Sequence, residues 1–348
     1  MNKSMTQGTR AASLRPAGHV NQYDTWEVAT PAHCTHYVRC LIGVESRGAD
    51  ASALLARVAN TFAGAVGPAS LGRGIATGAG GERSDIFYAY WNSPAHYASW
   101  LTTPRVASLW ADDALLEGPV GLWRESMVIP VERNETNYSN DAAYDGIAQI
   151  DKQMRKTDVH GYWGSARERI PASAHDTMPS AAPDFMLRPA ASMETLGRRV
   201  RITLPGNTCV IRSFQDWSQA QAAEVDWYLG NVEPVLRVGL NYLNGNRTEA
   251  KCYGMRYIRE YDMSGAIDLN RTSTFGYFES LQTLERWTHT HPTHLNIFRA
   301  AISMVQRFQG EVAVKLGHEV SVLPEGMLSA EYVNCARSTG FLSWSHED

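Results

Sequence analysis

Cysteine is scarce in this sequence, basic charge is not in excess, and long apolar runs are missing. The five cysteines among 348 residues, Cys34, Cys40, Cys209, Cys252 and Cys335, are odd in number, scattered, and form no Cys-x-x-Cys pair. That argues against a disulfide framework and against a cysteine zinc site, and it fits a reducing cytoplasm. A net charge of −4 offers no basic face to nucleic acid. No apolar stretch approaches the roughly 18 residues that a membrane span needs. Residues 1–20 carry Lys3, Arg10 and Arg15 among small polar residues but lack the apolar stretch of a secretory leader, so residues 1–22 read as a flexible tail. There is no Gly-x-Ser-x-Gly elbow, so Ser213 is not an evident hydrolase nucleophile.

Aromatic residues, by contrast, are plentiful, with 10 Trp and 15 Tyr. They suit a flat apolar ligand or a subunit interface, and equally an ordinary core. The chain also repeats itself. Residues 86–110 read IFYAYWNSPAHYASWLTTPRVASLW, and residues 273–298 read STFGYFESLQTLERWTHTHPTHLNIF. Each begins as an aromatic strand of period two, turns, and continues as an amphipathic helix with Trp100 or Trp287 near its end. A proline, Pro104 or Pro292, then opens another helical turn. Upstream lie a further strand and helix, HYVRCLIGVES with ASALLARVANTFAG, and NTCVIRSFQDW with QAQAAEVDWYLGNVEPVLRVGLNYL. Other candidate strands are SMVIPVE, CYGMRYIREY and HEVSVL. The expected architecture is α+β, one domain over 23–348 with related halves at roughly 23–135 and 195–348. Segment 136–194 connects them, and its Ala-, Pro-, Ser- and Met-rich part at 172–193 reads as a long loop.

The copies differ where chemistry can enter. The first has Thr102, Thr103, Pro104, Arg105 and Val106, whereas the second has His289, Thr290, His291, Pro292, Thr293 and His294. Neutral imidazole ligates iron, zinc or copper. Three readings stay open on spacing alone: a zinc site needing a further carboxylate or His, a single His on haem iron beneath a broad apolar pocket, or capping and surface histidines. His318, in GHEVSVL before a strand, suits an acid–base or a structural role. In VIRSFQDW, Arg212 and Ser213 can bond a ligand or simply belong to a strand. The most distinctive string is HGYWGSARERIP, residues 160–171. Its glycines permit close backbone approach and its arginines offer planar donor forks, although a tight turn with surface arginines reads the same way.

Together with LERWTHTHPTHLNIF and EYVNCARSTGFL, these strings run in one order over residues 30–342, and in that order the chain resembles the haem-containing aldoxime dehydratases, the phenylacetaldoxime and aliphatic enzymes. The resemblance implies a lyase that converts an aldoxime to a nitrile. It further implies non-covalent haem b, ferrous in the active state, and a homodimer of α+β barrels with ferredoxin-like halves. By motif it implies His294 as axial ligand, His318 as distal acid–base, Ser213 on the substrate hydroxyl, Arg169 as the functional arginine, and Glu135 of VERNETNYS as the accompanying acid. A peroxidase-like or haem-degrading enzyme of the same barrel and a non-enzymatic haem carrier are the alternatives. Carriage needs none of Ser213, Arg169 and His318. The string after Pro171 departs from the family pattern, so the choice between aryl-alkyl and aliphatic aldoximes stays open.

Overall fold

Strands rich in large apolar residues pair antiparallel throughout the chain. The computed structural model describes residues 13–78, 80–142, 145–182 and 194–344, and thirteen strands among them form one sheet. In chain order these are β1 (Thr25–Val28), β2 (His36–Ser46), β3 (Ser70–Thr77), β4 (Arg83–Trp91), β5 (Val120–Pro130), β6 (Asn134–Tyr138) and β7 (Met154–Thr157). There follow β8 (Arg199–Thr203), β9 (Thr208–Asp216), β10 (Cys252–Tyr261), β11 (Asp268–Phe278), β12 (Lys315–Leu323) and β13 (Leu328–Val333). His318 therefore lies within a strand that begins at Lys315, not ahead of it.

Helices fill the crossovers. α1 (Ser52–Thr61) follows β2, and α2 (Pro94–Leu101) and α3 (Pro104–Trp110) follow β4. The connecting segment adds the short α4 (Ser165–Arg169). After β9, α5 (Ala222–Trp227) passes through a π turn at Tyr228–Val232 into α6 (Glu233–Gly245) and α7 (Arg247–Ala250). Pro234, which has no N–H to give, stands just after that π turn. After β11 come α8 (Leu281–Thr290), begun by a Ser280–Thr283 capping box, and α9 (Pro292–Arg307), whose N-cap is the His291 side chain. Among the described residues no helix is long and apolar enough to cross a membrane.

Each half runs strand–helix–strand–strand–helix–strand. The spatial orders are β3-β4-β2-β5 and β12-β9-β11-β10, joined where Arg259–Tyr261 of β10 pair with Ile75–Arg73 of β3. β6, β1 and β7 extend the sheet beyond β12, and β13 and β8 extend it beyond β5. One face of each quartet contributes to a shared cluster, in which Tyr37, Leu41, Tyr88 and Trp123 meet Val210, Phe214, Phe275 and Tyr277. Buried charge crosses the same space: Arg39 binds Glu319, and Arg212 lies 2.8 Å from Asp145 and 3.3 Å from Glu260. The opposite faces carry the helices. Val106, the counterpart of His294, is buried there with Trp91, Tyr97 and Trp100.

Segment 136–194 supplies most of β6, all of β7 and α4, with a short 3-10 turn at Pro171–Ala174. Of the loop expected at 172–193, residues 183–193 lie outside the described residues, as do residues 1–12 of the tail. Residues 13–21 are bonded to the connecting segment: Ser13 Oγ donates to Glu168 at 2.6 Å and Asn21 Nδ2 to the Asp158 carbonyl at 3.0 Å.

Candidate active site

Alternation along β9 sends Val210 and Phe214 into the space between the quartets and Cys209 and Ile211 toward the helices. Ser213 follows the second set, Arg212 the first. On β12, His318 likewise shares the helix side with Val320 and Val322, while Glu319 enters the interior. Pairing register then aligns side chains from different strands. His318 is opposite Asn137 of β6 on one side and Ser213 of β9 on the other. Ser213 is opposite Thr274 of β11, and Thr274 opposite Tyr257 of β10. A polar row of five side chains thus crosses the helix-facing side, and the Ser213 and Thr274 hydroxyls bond each other at 2.7 Å.

Three segments distant in sequence meet beside this row. Arg169, on α4, places Nε 2.7 Å from Glu135 Oε2, and its NH2 donates toward His318 Nε2 at 3.1 Å. That same His318 nitrogen lies 3.1 Å from Glu135 Oε1. The arginine side chain is 2% exposed and the glutamate 0%, so the pair is removed from water. Burial alone would raise the Glu135 carboxyl, but Arg169 and then His318 overcome it and hold the group below the usual carboxylate range. The imidazole nitrogen stands between a donor and an acceptor. Bare, it accepts from Arg169; protonated, it faces Glu135.

A depressed carboxyl stabilises the fold fully above the usual carboxylate range and loses that contribution as pH falls through its lower folded value. Glu135→Gln leaves Arg169 buried without its charge partner, which should cost about 3–5 kcal/mol at neutral pH. The difference from the parent chain should shrink as pH drops below about 4, because the parent then loses the same charge. Urea unfolding at both pH values reads this directly; a difference that stays constant with pH would show that the ion pair is not its source.

His294 stands on the first turn of α9. The rings of Trp287 and Trp163 stand steeply inclined to its own, at 67° and 62°, with centroids 4.8 Å and 6.0 Å away. Burial pushes the imidazole down to about 4, with the Thr288 carbonyl opposing that shift, and His318 is near enough for its charge to act in the same direction as burial. Nδ1 is buried without a hydrogen bond of ordinary geometry. The neighbouring histidines do other work. His289 stacks on Trp163 at 5.1 Å, and His291 stacks on Tyr242 at 3.9 Å while capping α9. Among the described residues no three His, Cys, Asp or Glu side chains converge in a metal-binding group, which removes the support for a zinc site there.

The five residues named from motifs therefore fall into a group of four, with Glu135, His318 and, in register, Ser213 on the sheet and Arg169 on α4 beside them, and His294 on α9. Motif reading missed Thr274, Trp163 and Trp287. Thr274 was within reach: it alternates correctly in STFGYF, and pairing that strand with VIRSF brings it to Ser213. Beside His294, α9 also presents apolar surface. α9 runs for 16 residues yet fully buries only Met304, leaving Leu295, Ile297, Phe298, Ala301 and Ile302 partly uncovered. A half-buried imidazole kept neutral by burial beside that surface has the donor chemistry of a haem ligand.

Comparison with known proteins agrees. The profile of the haem-containing dehydratases matches residues 41–341. The phenylacetaldoxime dehydratase of Bacillus sp. (strain OxB-1) is 34% identical over 329 residues, spanning 94% of this chain and 93% of that protein. An aliphatic aldoxime dehydratase of Pseudomonas sp. is 33% identical over 322 residues, covering 91% and 90%. An aldoxime dehydratase crystallised with butyraldoxime superposes with a TM-score of 0.88 at 30% identity, covering 96% of this chain and 92% of that one. With its site geometry, its mixed α/β fold and these relatives taken together, the chain belongs to the haem-containing dehydratase family.

Proposed function

We propose that this protein removes water from an aldoxime to leave a nitrile, with His294 holding the haem iron and the Glu135–Arg169–His318 group working above it. The observation that carries the proposal is the His318 nitrogen set between Arg169 and Glu135, in register with the Ser213 hydroxyl. A ferrous haem held by His294 would supply a Lewis acid and a source of electron density for an oxime nitrogen. Ser213, oriented by Thr274, holds the oxime hydroxyl, and Arg169 adds a charged donor to the same oxygen. Protonated His318 gives that oxygen a proton, so the N–O bond breaks and water departs. Neutral His318 then accepts the proton from the oxime carbon and the C≡N bond is complete. One proton goes in and one comes out, so no oxidant or reductant is consumed. Glu135 balances the cationic form of His318, and Arg169 donates to the neutral form.

The two strand quartets, each with the same order and crossovers, support reading the chain as duplicated ferredoxin-like halves closing a barrel, with 23–135 and 195–348 as their bounds. Val106 buried where the other half has His294 supports one haem per chain. Five free, buried cysteines support a cytoplasmic setting, and the family resemblance supports a homodimer.

Nitrile formation from phenylacetaldoxime and from butyraldoxime, measured by chromatography in matched dithionite-reduced and oxidised samples, tests the proposal. Reduced protein should convert aldoxime, whereas oxidised protein should bind it and turn over little. No nitrile from either substrate in reduced, haem-loaded protein would overturn the reading. Ser213→Ala should raise KM and lower kcat by up to roughly tenfold in kcat/KM, since one hydrogen bond is worth about 0.5–1.5 kcal/mol. A wild-type kcat/KM in that variant would remove Ser213 from the site.

A further inference from the structure

Segment 158–169 touches both walls of the site. Trp163 lies steeply inclined to His294 at 6.0 Å, stacks on His289 at 5.1 Å and packs against Phe298 at 5.8 Å. Six residues later, Arg169 meets Glu135 and His318. Little slack separates them. Gly161 and Gly164 sit at φ +78° and +94°, a left-handed backbone that side chains rarely adopt, and Arg169 NH1 closes back on the Val159 carbonyl at 2.5 Å. Arg167 forks onto Glu285 of α8 at 2.6–3.1 Å, the helix that leads into His294. Glu168 accepts from Ser13 Oγ, from the Leu14 N–H and from the Tyr162 hydroxyl at 2.6, 3.1 and 2.7 Å.

We propose that this segment is a bracket that fixes the two walls relative to each other, and that Trp163 is a positioning residue setting the plane of the His294 imidazole. The inference rests on His294 being the iron ligand. Ligating histidines are ordinarily oriented by a hydrogen bond from the second ring nitrogen. His294 Nδ1 is held only by the Thr288 carbonyl, without a hydrogen bond of ordinary geometry, so its rotation also depends on the ring contacts with Trp287 and Trp163. Trp287 is itself fixed, its Nε1 donating to Thr293 Oγ1 at 3.2 Å. Trp163 is 40% exposed, so it fills no core cavity; its covered side is spent on His289, His294 and Phe298.

The test compares Trp163→Leu, Trp163→Phe, His289→Ala and His294→Ala. The readouts are the iron–histidine stretching band of the reduced protein, the rate of haem transfer to apomyoglobin, and kcat and KM. Trp163→Leu should shift and broaden the band, release haem roughly tenfold faster and lower kcat more than KM, a fold-change equal to about 1.4 kcal/mol and within the worth of one aromatic edge contact. Trp163→Phe should restore most of each value. His289→Ala, on the exposed flank of Trp163, should shift the band in the same direction by less, and it serves if Trp163→Leu does not fold. If His294→Ala binds no haem while Trp163→Leu or His289→Ala keeps the parent band and release rate, the bracket is refuted and the ligand assignment stands. If His294→Ala keeps the parent band, the ligand assignment itself falls.

Discussion

His294→Ala should fold and purify without haem. Three features of the site point that way. The imidazole is pushed down to about 4 by burial, so at neutral pH no proton competes for its nitrogen. It stands beside the partly uncovered apolar face of α9, where a flat ligand gains contact with Leu295, Ile297 and Phe298. The nearby alternatives are engaged, since His289 is stacked on Trp163, and His291 caps α9 while stacked on Tyr242. The fold should survive because α9 owes its start to the His291 cap and Pro292 rather than to residue 294. Loss of the partly buried ring removes contacts worth about 2–3 kcal/mol, a large part of the 5–15 kcal/mol that holds a typical domain yet not all of it. The measurement is the ratio of Soret to protein absorbance, with the pyridine haemochrome giving haem per chain. A variant with full haem and an unchanged Soret band would exclude His294 and direct attention to His289 or His291.

Much of this site was legible in the sequence because the two copies can be compared. Val106 and His294 stand at the same place after a helix-opening proline, and only one of them carries a ligand atom. The strands at His36–Ser46 and Cys252–Tyr261 were also legible, from their runs of β-branched and aromatic residues. β3 was not visible, for a physical reason. It contains Gly72 and Gly74, whose absent side chains are what the packing demands: a Cβ at Gly72 would stand 2.0 Å from the Tyr88 ring, and one at Gly74 would stand 2.3 Å from Ile258. Glycine in a strand erases the alternation that would announce it. The buried charges were hidden for a different reason. Nothing local to Arg39 or Arg212 announces burial, but each faces the space between the quartets, where Arg39 meets Glu319 and Arg212 meets Asp145. The Glu135–Arg169–His318 contact was beyond local reading altogether. It joins residues 34 and 149 positions apart, on β6, α4 and β12, and family resemblance supplied the names but no distance.

His318→Ala should keep haem and still bind aldoxime, yet lose nearly all turnover. Haem retention is expected because His294 stands on the opposite wall, on α9, and touches none of the atoms removed. Aldoxime binding should persist because Ser213 stays bonded to Thr274 and Arg169 stays on Glu135. What disappears is the group that moves protons. Its Nε2 stands 3.1 Å from Arg169, which donates to the bare nitrogen, and 3.1 Å from the Glu135 carboxylate, whose charge balances the protonated ring. Arg169 cannot take over, because its guanidinium does not give up a proton at working pH. Glu135 is held in its ionised form by the same arginine, which makes it a poor acid. Removal of a positioned acid–base group typically costs about 10²–10⁴-fold in rate, and the loss should fall on kcat with KM little changed. Nitrile formation under reducing conditions measures the rate, and the spectral change on adding aldoxime measures binding in the same sample. Intact binding with rates near those of the parent would transfer proton movement to Ser213 or water and remove His318 from the chemistry.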